Sequence, residues 1–169
     1  TTTASMVANI LTAGGLKTGI IGTLGIVIDG KVEETANTTP ESYEIQRAMR
    51  KMINAGCKCV VMEASSLGLK WHRTDGFIFD YAIFTNFSHD HIGGAEHKDM
   101  QEYLDCKALL FKQCKVGMIN IDDAKAQYII EHSSCKIETF GFSKNAELIG
   151  SDDRLISKAG YLGVNFTIS

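Results

Sequence analysis

Apolar residues recur at helical spacing through Ala4–Ala13, with Met6, Val7, Ile10 and Leu11 in a stripe and Gly14-Gly15 ending the run. Leu16–Thr23 reads as a buried strand centred on Ile20 and Ile21, and Gly25–Glu33 as a short hairpin turning at Asp29-Gly30. Thr35–Pro40 is a polar loop. Pro40 suits the first turn of a helix that places Ile45, Ala48, Met49 and Met52 on one face, closed by Gly56. Cys57–Met62 is short and almost wholly apolar, the pattern of a strand buried on both faces of a parallel sheet. Phe77–Phe84 predicts a second such strand, Met100–Phe111 a helix, and Val116–Ile121 a further strand. Asp122-Asp123 is expected to cap a helix running to about His132. From Lys136 onward the pattern changes to short strands near Ile137–Phe142, Arg154–Lys158 and Tyr161–Ile168. The alternation predicts an α/β fold: a mostly parallel sheet flanked by helices, with a small antiparallel sheet starting near the C-terminus. Residues 1–169 are read as a single domain.

Composition narrows the function classes. A net charge of −3 and a pI near 5.9 argue against a nucleic-acid partner, which would call for a basic face. No stretch approaches the roughly 20 consecutive apolar residues that span a bilayer, so no membrane partner is expected. Five cysteines are present, an odd count, and Cys57-Lys-Cys59 is not a usual zinc spacing. They are expected to be buried thiols in a reducing cytoplasm, without disulfide or structural zinc.

Ligands of open α/β sheets collect beyond the C-terminal strand ends, and the polar residues here fall at those ends. The first strand delivers Thr23 and leads toward Asn37-Thr38-Thr39. Cys57–Met62 delivers Glu63, Ser65 and Ser66; Phe77–Phe84 delivers Thr85, Asn86, Ser88, His89, Asp90 and His91. Glu63, directly after an apolar strand, stands where a carboxylate meets the magnesium of a nucleotide, since Mg²⁺ takes hard oxygen ligands. Lys107 lies among apolar neighbours on a helix. Such a lysine ordinarily snorkels its charge to the surface, whereas burial would depress its pKa and free the amine for covalent chemistry.

Together these runs resemble the central domain of the Mur ligases, and specifically the MurE type. The stretches that carry the resemblance are Lys17–Thr23, Asn37-Thr-Thr-Pro-Glu-Ser42, Val61-Met-Glu-Ala-Ser-Ser66, Phe79–Asn86, Asp90-His91, Tyr103–Phe111 and Ile119–Asp123. The Asn-Thr-Thr-Pro run separates the MurE type from its sister ligases. The resemblance implies an ATP-dependent amide ligase that adds the third amino acid to UDP-N-acetylmuramoyl-L-Ala-D-Glu in peptidoglycan synthesis, through an acyl phosphate. It implies Thr1 and Glu63 at one Mg²⁺, with Thr1 and Asn86 at the ATP. His91 and a carbamylated Lys107 would lie at a second Mg²⁺. Catalytic roles fall to Lys107, His91 and Glu63. Asn37, Thr38, Thr39, Ser65 and Arg73 match positions that hold the UDP-muramoyl-dipeptide. The implied partners are that substrate, ATP, an amino acid, and the N- and C-terminal domains of the same parent chain.

The phosphate-binding loop of the family ends in Gly-Lys-Thr-Thr-Thr, and this chain opens at Thr1-Thr2-Thr3. The chain alone is therefore expected to fold but neither to bind ATP tightly nor to make product. It departs from many relatives at Leu67, where a histidine is usual, and at Trp71, where a glutamine often sits. The segment between His91 and Lys107 is about two residues longer than in the commonest members and holds Gly93-Gly94. The open alternatives are a different Mur enzyme or a folylpolyglutamate synthetase, a non-catalytic scaffold module, and an unrelated phosphate-loop nucleotidase.

Overall fold

The computed structural model describes residues 1–88, 96–158 and 160–169, except the side chain of Tyr161. They divide into two units, Thr1–Phe77 and Ile78–Ser169, and the family-like motifs are shared between them.

The first unit opens with helix α1 (Thr2–Ala13), which Gly14-Gly15 ends: Leu16 and Gly15 donate back to the Leu11 and Thr12 carbonyls, with Gly15 at φ +86°. Strand β1 (Thr18–Gly22) pairs antiparallel with β2 (Gly25–Ile28), which pairs with β3 (Lys31–Glu33). The two-residue link Asp29-Gly30 has φ of 52° and 72°, the positive values that the predicted tight hairpin requires. Helix α2 (Ser42–Asn54) buries the predicted face through Ile45, Ala48 and Met52, and Gly56 (φ +81°) closes it. Strand β4 (Cys59–Met62) lies parallel to β1, giving a sheet of order β3-β2-β1-β4, and leads into the short helix α3 (Ser66–Lys70). Ile21, Ile26, Ile45, Ala48 and Met52 form the core.

In the second unit β5 (Phe79–Phe84), β6 (Cys114–Asn120) and β7 (Lys136–Gly141) are parallel neighbours. They are linked through α4 (Met100–Ala108), a 3-10 turn at Leu109–Lys112 and α5 (Ala126–Glu131). Strand β8 (Leu148–Lys158) joins β7 in parallel and folds back antiparallel onto β9 (Tyr161–Ile168), giving the order β5-β6-β7-β8-β9. The core gathers Ala82, Phe84, Leu104, Ala108, Phe111, Ile119, Ala126 and Ile129. Gly117 lets the Phe111 ring lie on β6, since a Cβ there would sit 2.7 Å from the ring.

The parallel sheet with a C-terminal antiparallel hairpin agrees with the sequence expectation, and four details differ. Met6 and Ile10 on α1 are 61% and 71% exposed, so the inward face of that helix runs through Val7, Ala8 and Leu11 and not through the whole apolar stripe. Strand β4 is half-buried and Val60 is exposed, so it is not covered on both faces. Strand β7 continues the parallel sheet, and the antiparallel part starts only with β8–β9. Asp122 and Asp123 do not cap α5, whose first turn follows Lys125 without a side-chain cap. Asp122 instead takes the backbone N–H groups of distant Phe142 and Ser143, while Asp123 takes those of distant Phe87 and of Lys125, the residue before the helix.

Candidate functional site

Strands β1 and β4 run parallel with Ile21 beside Met62, so their C-terminal ends deliver Thr23 and Glu63 to the same edge of the first unit. Glu63 N–H donates to the Ile21 carbonyl at 2.9 Å, which extends the ladder to the functional residue itself. Gly22 makes room for the carboxylate, because any Cβ at that position would collide with it. Around this carboxylate the structure gathers hydroxyl and amide donors. Thr23 N–H reaches Oε1 at 3.1 Å, and the Thr23 hydroxyl reaches Oε2 at 3.0 Å. The Thr1 hydroxyl and amino group each lie 3.1 Å from Oε2. Thr38 completes the group, its hydroxyl 3.3 Å from that of Thr23. Burial pushes the Glu63 carboxyl up, but the hydrogen bonds from the Thr1 amino group and from Thr23 outweigh it and hold its pKa below the ordinary value. The side chain is an ionised acceptor, and the side-chain groups gathered around it, the hydroxyls of Thr1, Thr23 and Thr38, are all oxygens. Such a set fits Mg²⁺, which prefers hard oxygen ligands.

Thr39, fully buried, ties the next layer together. Its hydroxyl donates to the Glu63 carbonyl at 2.9 Å and accepts from Ser65 N–H at 2.8 Å. Ser65 is the N-cap of α3, its hydroxyl accepting from Gly68 N–H at 3.1 Å. Arg73 is 6% exposed; Nη1 donates to the Thr39 carbonyl at 3.0 Å, and Nη2 pairs with Glu41 at 2.6 Å. Its guanidinium lies over the exposed Trp71 ring, 4.8 Å from the centroid. Asn37 is exposed at the start of this loop, its carbonyl accepting from the Thr35 hydroxyl at 3.0 Å. The first unit thus brings together Thr1, Thr38, Thr39, Glu63, Ser65 and Arg73 of the sequence-derived set. Sequence reasoning did not single out Gly22 or Glu41 and left Thr23 without a role; the signal for Thr23 was its place at the end of an apolar strand.

The second unit carries the remaining candidates. Asn86 is exposed just beyond β5, in a segment held by the Asn120 amide on the Thr85 carbonyl (2.8 Å) and by Phe87 N–H on Asp123 (2.6 Å). Lys107 is half-buried in the last turn of α4, its Nζ 4.6 Å from the centroid of the Tyr103 ring one turn earlier. Tyr103 packs between Phe87 and His97, at 4.9 and 5.1 Å between ring centroids. His91 lies outside the described residues. Among the described residues, no three His, Cys, Asp or Glu side chains converge on a metal position.

The Mur ligase middle-domain family model matches residues 1–166. The chain belongs to that family. It is 42% identical to a UDP-N-acetylmuramoyl-L-alanyl-D-glutamate–2,6-diaminopimelate ligase of Clostridium acetobutylicum over 155 residues, covering 90% of this chain and 32% of the relative. A ligase of the same name from Caldanaerobacter subterraneus is 38% identical over 169 residues, 99% of this chain and 34% of the relative. A solved structure of a ligase with that name matches at TM-score 0.84 and 27% identity, over 98% of this chain and 34% of the other. The chain therefore spans about a third of the length of the Mur ligases it matches.

Proposed function

We propose that this Mur ligase middle domain serves an enzyme that joins an amino acid to the D-glutamyl carboxylate of UDP-N-acetylmuramoyl-L-alanyl-D-glutamate. The observation that carries the reading is the ionised Glu63 among the hydroxyls of Thr1, Thr23 and Thr38 at the ends of β1 and β4. The names of the relatives support the substrate, and ATP and Mg²⁺ dependence is general in the family. The γ-phosphoryl group of ATP passes to the substrate carboxylate, ADP leaves, and the amine attacks the acyl phosphate to release phosphate and a proton. Bound Mg²⁺ would offset the negative charge that gathers as carboxylate meets triphosphate.

Glu63 with the Thr1 and Thr23 hydroxyls would supply oxygen ligands to that Mg²⁺, and Asn86 is assigned to the nucleotide. Asn37, Thr38, Ser65 and Arg73 hold the muramoyl-peptide, and the fully buried Thr39 orders them from beneath by joining Ser65 N–H and Arg73 through its own polar groups. Lys107 and His91 are assigned to a second magnesium. There the Lys107 amine would give up its proton and bond to carbon dioxide, presenting a carbamate oxygen. Diaminopimelate is the amine in the relatives' names, and lysine is its competitor. A reducing cytoplasm is the compartment proposed with this reading. Among the described residues no helix is long and apolar enough to cross a membrane.

The test is titration of the chain with Mn²⁺, a magnesium substitute visible by electron paramagnetic resonance, and with UDP-N-acetylmuramoyl-L-Ala-D-Glu. Folate serves as the control ligand. Glu63→Gln is expected to abolish Mn²⁺ binding, and the UDP-sugar peptide is expected to bind where folate does not. Undiminished Mn²⁺ binding in that variant, or a preference for folate, would overturn the reading.

A further inference from the structure

We infer that Glu41 is a built-in competitor for the anion received by Arg73, and that a substrate carboxylate enters by displacing it. The inference rests on the proposed function in one respect, that Arg73 meets the muramoyl-peptide.

The guanidinium presents five N–H donors in a planar fork, and Nε with Nη2 forms one edge matched to the two oxygens of a carboxylate. Here Nη1 is committed inward, to the Thr39 carbonyl at 3.0 Å. On the other edge only Nη2 is used, by one oxygen of Glu41 at 2.6 Å, while Nε is buried and has no hydrogen-bond partner among the described residues. A planar fork half-satisfied in a buried position is a poor final state, because an unmet buried donor carries a desolvation cost.

The burial of the two partners is unequal: the Arg73 side chain is 7% exposed and that of Glu41 60%. The arginine is fixed from below by Thr39 and from the side by the Trp71 ring at 4.8 Å. Glu41 approaches from solvent, immediately before the first turn of α2, where its side chain makes no capping bond to the helix. The arginine is therefore the fixed member of the pair and the glutamate the movable one. A carboxylate taking both Nε and Nη2 would satisfy the whole edge, which Glu41 does not. Until it arrives, Glu41 keeps the guanidinium neutralised and aligned, and it repels anions that offer only weak contacts.

Trp71 is the sole tryptophan of the chain and stacks on the same guanidinium, so its emission reports the exchange directly. The experiment titrates wild type, Glu41→Gln, Glu41→Asp and Arg73→Lys with UDP-N-acetylmuramoyl-L-Ala-D-Glu, and separately with glutarate as a bare carboxylate probe. Glu41→Gln keeps the shape and an acceptor for Nη2 but removes the charge, and is expected to bind the UDP-sugar peptide roughly three- to tenfold tighter. Glu41→Asp should fall between it and wild type. Arg73→Lys should bind more weakly, and adding Glu41→Gln to it should recover none of the loss.

Unchanged or weaker binding in Glu41→Gln overturns the inference; if Arg73→Lys still weakens binding, the proposed function stands. If no protein binds the UDP-sugar peptide but Glu41→Gln binds glutarate more tightly than wild type, the substrate reading falls and the competition remains. Silence toward both ligands in every protein overturns both.

Discussion

Glu63 shows how a single carboxylate can be both partly buried and reliably ionised. Burial alone would raise its pKa, but the donors at Thr1 and Thr23 stabilise the charged form more. The sign of the linkage follows. With a folded-state pKa below the unfolded value, the unfolded chain binds the proton more readily. The contribution of Glu63 to stability is present above its ordinary value of 4.5 and is lost as pH falls through the lower folded value. Denaturation midpoints in urea measured from pH 6 downward should therefore decline more steeply below about 4.5 in wild type than in Glu63→Gln, which has no proton to gain. Parallel declines would mean that other carboxylates dominate the acid side and that Glu63 is not held in its charged form.

Helix α3 argues the same point for an element, through the one position in it that cannot carry a side chain. Gly68 sits where a Cβ would come within 2.6 Å of the Thr39 side chain. Helix propensity alone would have Gly68→Ala stabilise the protein by about 1 kcal/mol. Overpacking against a fully buried residue costs about 1–3 kcal/mol, so the expected outcome in a thermal melt is net destabilisation. Added stability would show that Thr39 can yield, and that its bonds to Glu63, Ser65 and Arg73 are soft. Elements of this kind were unevenly legible. The Asp29-Gly30 hairpin and the Ile45, Ala48, Met52 face of α2 could be read because turn chemistry and helical period are local. The exposed Met6, Ile10 and Val60 could not, since periodicity marks an apolar face without saying what covers it. Asp122 and Asp123 look like helix caps, yet apart from the Lys125 N–H on Asp123 their partners lie 20, 21 and 36 residues away. The Glu41–Arg73 pair was hidden for the same reason: only folding brings the turn after α3 against the loop before α2. Glu63, Ser65 and Thr38 were legible as strand-end and loop polar residues, but Thr39 as their common link was not.

At the scale of the whole molecule, the proposed chemistry is divided between two units that each bury a core of their own. Glu63, Thr1 and Thr38 belong to the unit built on Ile21, Ile45 and Met52; Lys107 and Asn86 belong to the one built on Phe84, Phe111, Ile119 and Ile129. Proteins open in cooperative pieces that follow such cores, with local free energies below the global one. Ile119 is the sharpest probe. It is fully buried in β6, the strand between β5 and β7, and truncation to alanine should cost about 2–5 kcal/mol. Its packing neighbours are members of its own cluster, so the loss should fall on Ile78–Ser169. Hydrogen exchange followed by mass spectrometry should show Ile119→Ala exposing the amides of β5, β6 and α4 while those of β1 and α2 stay protected. Ile45→Ala, which opens a cavity beneath α2 in the other core, should produce the reverse pattern. Mn²⁺ binding gives a second and independent readout: it should survive Ile119→Ala, because among the described residues the oxygen donors around Glu63 come from the first unit, and weaken in Ile45→Ala. Uniform loss of protection along the chain in both variants would show that it unfolds as one cooperative body, and that the two cores are not separate sources of stability for the two units.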